Sequence, residues 1–336
     1  MNRRSWGAWL GRVAVSAGLA GAHASLAASE PAIGQFELKG LEAEAGNAEF
    51  QSQNAWSFGQ PRRRFEGVSG DTVYDDNSVT RQRHALEIEA SLTNFFRMRV
   101  GIEYEKERVD DPVSPALADS FDSLQLQEVA LEGVVILKPI PDEGGLGFGL
   151  LSEFEHPLGA GELNSILFGP IIGARQGAWS ALLNVMFIKH FGAGERTDDG
   201  LERDDKWDIG YATQIKYDFN PAWALALEGY GTFDRIGNSG RPDEAAILFG
   251  DHDQHRAGPV IYHEWRVGGD ARATLVGNGS RSIVKAAAVD DDGDGKGRAG
   301  DDDDEGVLLR LGTGLLFGLN ENTPQTTLKL SLAAEF

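Results

Sequence analysis

Long stretches of this chain alternate apolar and polar side chains one residue at a time, a rhythm that suits a β-strand with two unlike faces and no other regular structure. From Trp207 the odd positions read Trp207, Ile209, Tyr211, Thr213, Ile215, Tyr217 and Phe219. The even positions read Asp208, Gly210, Ala212, Gln214, Lys216 and Asp218. Asn220-Pro221 then marks a turn. The next run sets Trp223, Leu225, Leu227, Gly229, Gly231 and Phe233 against Ala224, Ala226, Glu228, Tyr230 and Thr232. Aromatics close both ends of the apolar rows, where an interface between oil and water favours them.

A second hairpin repeats the pattern and brings charge into it. Leu86, Ile88, Ala90 and Leu92 oppose Glu87, Glu89 and Ser91; after a tight turn, Phe96, Met98, Val100, Ile102 and Tyr104 oppose Arg97, Arg99, Gly101 and Glu103. Pairing the apolar faces sets Glu89 against Arg99 and Ser91 against Arg97, so opposite charges meet across the strands. The polar set Glu87, Glu89, Arg97, Arg99, Lys216, Glu228 and Lys329 is therefore expected to line the inside of a closed sheet, with the apolar set turned outward.

No apolar run reaches the roughly 20 residues that a membrane-crossing helix needs, a limit that strands escape because only one of their faces is apolar. The N-terminus reads as an export leader: Arg3, Arg4 and Arg12 flank a short apolar stretch, and small residues through Ala27-Ala28 offer a cleavage site. The expected division is residues 1–28 as signal peptide and 29–336 as barrel. Losing the three arginines leaves 28 basic residues against 52 acidic ones, a net charge of −24. Such a surface repels nucleic acid. The chain has no cysteine, so strand closure rather than disulfides must hold it together outside the cytoplasm.

The chain ends Leu328-Lys-Leu-Ser-Leu-Ala-Ala-Glu-Phe336, a last alternating strand finishing on an aromatic. In this it resembles Gram-negative outer-membrane β-barrels, whose terminal strand closes on an aromatic recognised by the barrel-assembly machinery. The resemblance implies the outer membrane as location, its lipids as surroundings and Phe336 as the assembly signal. Residues Phe36–Gly46 are similar to the start of uncharacterised proteobacterial barrels, some grouped with a phenol-degradation pathway. Further alternating segments lie near 48–58, 122–137, 146–155, 165–174, 179–191, 256–267, 271–288 and 307–318. Segment 122–137 changes phase near Glu128-Val129, as a bulge would cause. These and the five strands above make one more than the even number that a single-chain barrel requires. Residues 271–288, broken by Gly277-Asn278-Gly279, are the weakest, and Phe36–Leu41 is a possible addition. The expected fold is all-β: a transmembrane antiparallel up-and-down barrel of about 12 strands.

Three functions fit that fold. The first is a channel for small polar solutes, ordered by the interior charges. The second is a hydrolase with a rim site; Asp251-His252-Asp253-Gln254-His255 is the cluster with metal-ligating or catalytic residue types. The third is a cation-binding or adhesion barrel. Asp290, Asp292 and Asp294 stand at alternate positions before Gly295, with Asp301 at position twelve, in the order of a calcium loop. Asp301 is shorter than the usual glutamate there, and no helices flank the loop. The channel is the primary expectation, with no catalytic residue and no cofactor; the acidic run reads first as a solvated loop that attracts cations diffusely and second as a calcium site. Gly144–Gly149 opens no helix and is not a phosphate loop.

Overall fold

The computed structural model describes residues 36–58, 64–66, 72–74, 79–109, 124–158, 163–192, 196–197, 200–201, 205–233, 236, 254–268, 306–320 and 323–336. Twelve antiparallel strands close on themselves: β1 (Ala48–Phe58), β2 (Val79–Thr93), β3 (Phe96–Val109), β4 (Gln125–Lys138), β5 (Gly145–Pro157) and β6 (Asn164–Gln176), then β7 (Trp179–Phe191), β8 (Trp207–Asn220), β9 (Trp223–Phe233), β10 (Gln254–Val267), β11 (Val307–Gly318) and β12 (Thr326–Glu335). Every strand pairs with its neighbours in sequence, and β1 pairs with β12 to shut the cylinder. Closure leaves no edge strand, the only way a sheet can satisfy its backbone in lipid. Two short ribbons, Arg64–Glu66 with Thr72–Tyr74 and Arg196–Thr197 with Gly200–Leu201, stand apart from the barrel sheet.

The register follows the side-chain pattern. Glu89 faces Arg99 and Ser91 faces Arg97 across β2 and β3. The expected bulge lies at Gln127, which is skipped as Glu103 pairs with Glu128 and Tyr104 with Leu126. Residues 271–288 fall outside the described residues, so the extra strand candidate lies there.

The outer surface is a band of exposed Leu, Ile and Val: Ile88, Val100, Leu131, Leu150, Ile172, Leu225 and Leu227 among them. Aromatics bound it. At one end stand Phe95, Trp179, Phe219 and Trp223; at the other Phe58, Phe168, Phe187, Trp207 and Phe317. An exposed apolar band between two aromatic girdles is what a bilayer covers. Water would not leave so much oil bare. The turns Thr93–Phe96, Gln176–Trp179 and Asn220–Trp223 all lie at the first end. Asn220 caps its turn by accepting from the N–H groups of Ala222 (2.9 Å) and Trp223 (3.1 Å). The first and last strands also meet on this side, where Phe336 and Ala48 bond backbone to backbone. On the same side β10 ends at Val267 and β11 begins at Val307; Asp290, Asp292, Asp294 and Asp301, between them in sequence, lie outside the described residues.

Two strands carry a Gly-Pro pair in mid-course. At Gly169-Pro170 and Gly258-Pro259 the ladder to the next strand skips residues, because proline has no N–H to give. The neighbouring strand presses in. A Cβ on Gly169 would lie 1.8 Å from the Val185 carbonyl oxygen, and one on Gly258 1.9 Å from that of Leu315.

Candidate functional site

The lumen contains the chain's own N-terminal residues. Phe36–Leu41, which alternate like a short strand, join no sheet; this candidate strand is corrected to a strap across the interior. Its pattern has another use. Both sets of side chains meet barrel wall, so apolar and charged residues each find a matching lining rather than lipid on one side and lumen on the other.

The apolar contacts come first. Phe36 takes a left-handed backbone conformation (φ 58°), and its ring meets Tyr230 edge to face at 5.4 Å with the Arg256 guanidinium 4.4 Å above it. Leu41 reaches a hollow made by three inward glycines. A Cβ on Gly147, Gly149 or Gly173 would lie 2.9, 2.6 and 3.1 Å from a Leu41 methyl. Ile140 fills the rest, its side chain 2.7 Å from the same imaginary atom at Gly147 and at Gly173. The glycines are thus a cradle for two aliphatic side chains. Val134, Ile136, Leu151, Leu167, Ile171, Met186 and Ile188 continue this apolar lining.

One polar residue interrupts it. Asn184, 1% exposed, sits in the row between Leu182 and Met186. Its Oδ1 accepts from the Lys39 N–H (2.7 Å) and its Nδ2 donates to the Lys39 carbonyl (3.0 Å). An amide side chain thereby does for an extended segment what a neighbouring strand would do. Arg97 adds two donations to backbone, to the carbonyls of Gly40 (2.9 Å) and Glu42 (3.2 Å).

The charges interlock. Arg99 binds Glu89 (2.9 Å), Glu87 (3.1 Å) and the strap's Glu37, and faces Glu132 at 3.8 Å. The Lys39 ammonium bonds Glu132 (2.5 Å) and Glu37 (2.6 Å). Burial alone would raise the Glu37 carboxyl, but Arg99 and Lys39 together outweigh it and hold the group at about 2. Burial and the charge of Arg99 oppose the Lys39 ammonium; Glu132, Glu37 and Glu87 prevail and push it above the ordinary lysine value. Both strap charges are therefore kept ionised by their partners.

Of the seven residues expected inside, Glu87, Glu89, Arg97 and Arg99 form this island. Glu228 and Lys329 form a second, joined at 2.8 Å from strands that are not neighbours. Tyr230 (2.6 Å), Gln214 (2.7 Å) and Tyr262 also donate to Glu228. Lys216 stands apart near the short turns with Asp218 at 3.4 Å. Sequence reasoning did not single out Asn184, Glu132, Glu37 or Lys39. The lone Asn in an otherwise apolar inward row was the available signal for the first.

A third group lies at the loop end. Ser165 Oγ is 3.0 Å from His190 Nδ1, and His190 Nε2 is 2.9 Å from Asp208, which also pairs with Lys206 at 3.1 Å. Of the expected histidine cluster, His255 is described, packed against Tyr211 and Phe233; Asp251, His252 and Asp253 lie outside the described residues.

Closed topology, aromatic girdles and apolar exterior define a transmembrane β-barrel of the outer-membrane type. No family model and no curated protein matches the chain. A solved outer membrane channel from Pseudomonas putida F1 shares the fold at 13% identity and a TM-score of 0.51, covering 88% of this chain and 98% of that one. The transport unit of the Escherichia coli autotransporter AIDA-I is more distant, at 10% identity and a TM-score of 0.44 over 91% and 94% of the two chains. OprD of Pseudomonas aeruginosa is more distant still, at 10% and 0.31 over 90% and 97%.

Proposed function

We propose that this barrel is an outer-membrane channel for small polar solutes, closed at rest by its own residues 36–41. The observation that carries the reading is the strap: a segment inside the cylinder, fastened by Asn184, Arg97, Arg99 and the glycine cradle. Nearly all its fastenings are side-chain contacts, which can be exchanged without disturbing the wall. Charged residues of both signs would remain on the uncovered wall to favour polar solutes over apolar ones. An exported precursor losing residues 1–28 fits this location, with Phe336 as the handle for assembly. Planar-bilayer recording tests the reading. Asn184→Leu removes both amide bonds to Lys39 and should raise the open fraction at least tenfold over the parent chain. A folded variant that gives no unitary steps would end it.

The Ser165–His190–Asp208 row supports a second reading, a hydrolase with its site at the loop end. Serine, imidazole and carboxylate in series are the ingredients of a nucleophilic triad. Ser165 also stands directly opposite Glu155 on the neighbouring strand. A fluorophosphonate probe decides: labelling of the parent chain that is lost in Ser165→Ala would favour the hydrolase, and an unlabelled chain the channel alone.

A further inference from the structure

The strap does more than fill space. It carries an ammonium and a carboxylate that touch each other, and each is received by an opposite charge on the barrel wall. Lys39 Nζ sits 2.5 Å from Glu132 and 2.6 Å from Glu37, while Glu37 bonds Arg99. Glu132, Arg99 and Glu153 lie in one register row across β3, β4 and β5, with Glu89 beside Arg99 on β2. Glu87, also bonded to Arg99, lies close enough for its charge to act on the same ammonium. Glu132 is 3% exposed.

Such groups are costly to bury unless each meets a partner. When the strap leaves, Glu132 loses the ammonium that lay 2.5 Å away, and Arg99 beside it loses one carboxylate while keeping Glu87 and Glu89. A solute that satisfies both at once must hold an ammonium and a carboxylate side by side. Asn184 adds a donor and an acceptor suited to a peptide group.

We propose that the wall formed by Glu132 and Arg99 is a binding subsite for zwitterionic solutes of the α-amino-acid type, and that Glu37 and Lys39 are its tethered occupants in the closed state. The inference rests on the channel reading for its biological sense and specifies the solute class. Entry of such a solute and departure of the strap are then linked, because the two compete for one set of partners.

Calorimetry on the detergent-purified full chain tests this without ion flow. In Glu37→Ala/Lys39→Ala the subsite is vacated, and L-alanine should bind at least tenfold more tightly than to the parent. Ethylammonium and acetate, each half of the zwitterion, should bind at least tenfold more weakly than L-alanine. Adding Glu132→Gln should reduce L-alanine binding about tenfold. Heat-modifiable gel mobility confirms the fold of each variant; should the double alanine variant fail it, Glu37→Ser/Lys39→Ser, small enough to leave the subsite open, carries the same expectations. L-alanine binding that is absent, equal in parent and vacated chains, or indifferent to Glu132→Gln would overturn the proposal. A chain that binds L-alanine yet never conducts would retain the subsite and refute the channel; one that conducts without binding L-alanine would do the reverse.

Discussion

Asn184 is the residue that holds the strap by its backbone. Replacing it by Leu leaves an N–H and a carbonyl of Lys39 buried against hydrocarbon. Each orphaned group costs about 1–3 kcal/mol, and about 1.4 kcal/mol is tenfold in a population, so the strap should spend far more time undocked. Glu37 gives a dependence on acidity. A carboxyl whose pKa is lowered by docking stabilises the docked form fully above its ordinary value of 4.5, and that contribution disappears as pH falls toward about 2. Strap accessibility to limited proteolysis by an acid-active protease should therefore rise between those values, and Glu37→Gln should remove this component of the rise. Lys39, raised by its carboxylates, acts on the opposite side: its contribution is complete below the ordinary lysine value and is lost only above it.

At the scale of elements, the alternation made the strands and their register legible. Glu89 opposite Arg99 and the bulge at Gln127 followed from which side chains prefer to share a face. The strap was not legible, for a physical reason: Phe36-Glu-Leu-Lys-Gly-Leu has the same period as a strand, and only its shortness and the glycines waiting at 147, 149 and 173 distinguish it. Those glycines looked like ordinary small lumen residues, because nothing in sequence says that Leu41 and Ile140 will meet them. Gly258 and Gly169 carry a different constraint. There the obstacle to a side chain is a neighbouring backbone carbonyl, which cannot rotate away as a side chain can. Gly258→Ala and Gly169→Ala should each lower the yield of folded, heat-modifiable barrel severalfold. Gly173→Ala, which meets only the ends of Ile140 and Leu41, should fold normally and loosen the strap.

For the whole molecule, one chain solves two solvation problems. Lipid is given aliphatic side chains between aromatic girdles, and the interior is given paired charges and a strap that uses both. Leu227, 59% exposed, lies midway along β9 between Trp223 and Phe233, so Leu227→Arg should cost about 2–4 kcal/mol in reversible unfolding from lipid vesicles. A charge at Trp223, by the girdle, should cost much less. The overall shape was readable because a closed cylinder follows from strand number and two unlike faces; the contents of the cylinder were not, because they depend on how six residues outside the sheet fit inside it. The chain's lack of cysteine allows a direct test of that interior. With Leu41→Cys and Gly173→Cys joined by a one-carbon bis-methanethiosulfonate, single-channel recording should show a silent barrel, whereas the same protein left unbridged should open. Equal conductance before and after bridging would contradict the strap as the closure of this lumen.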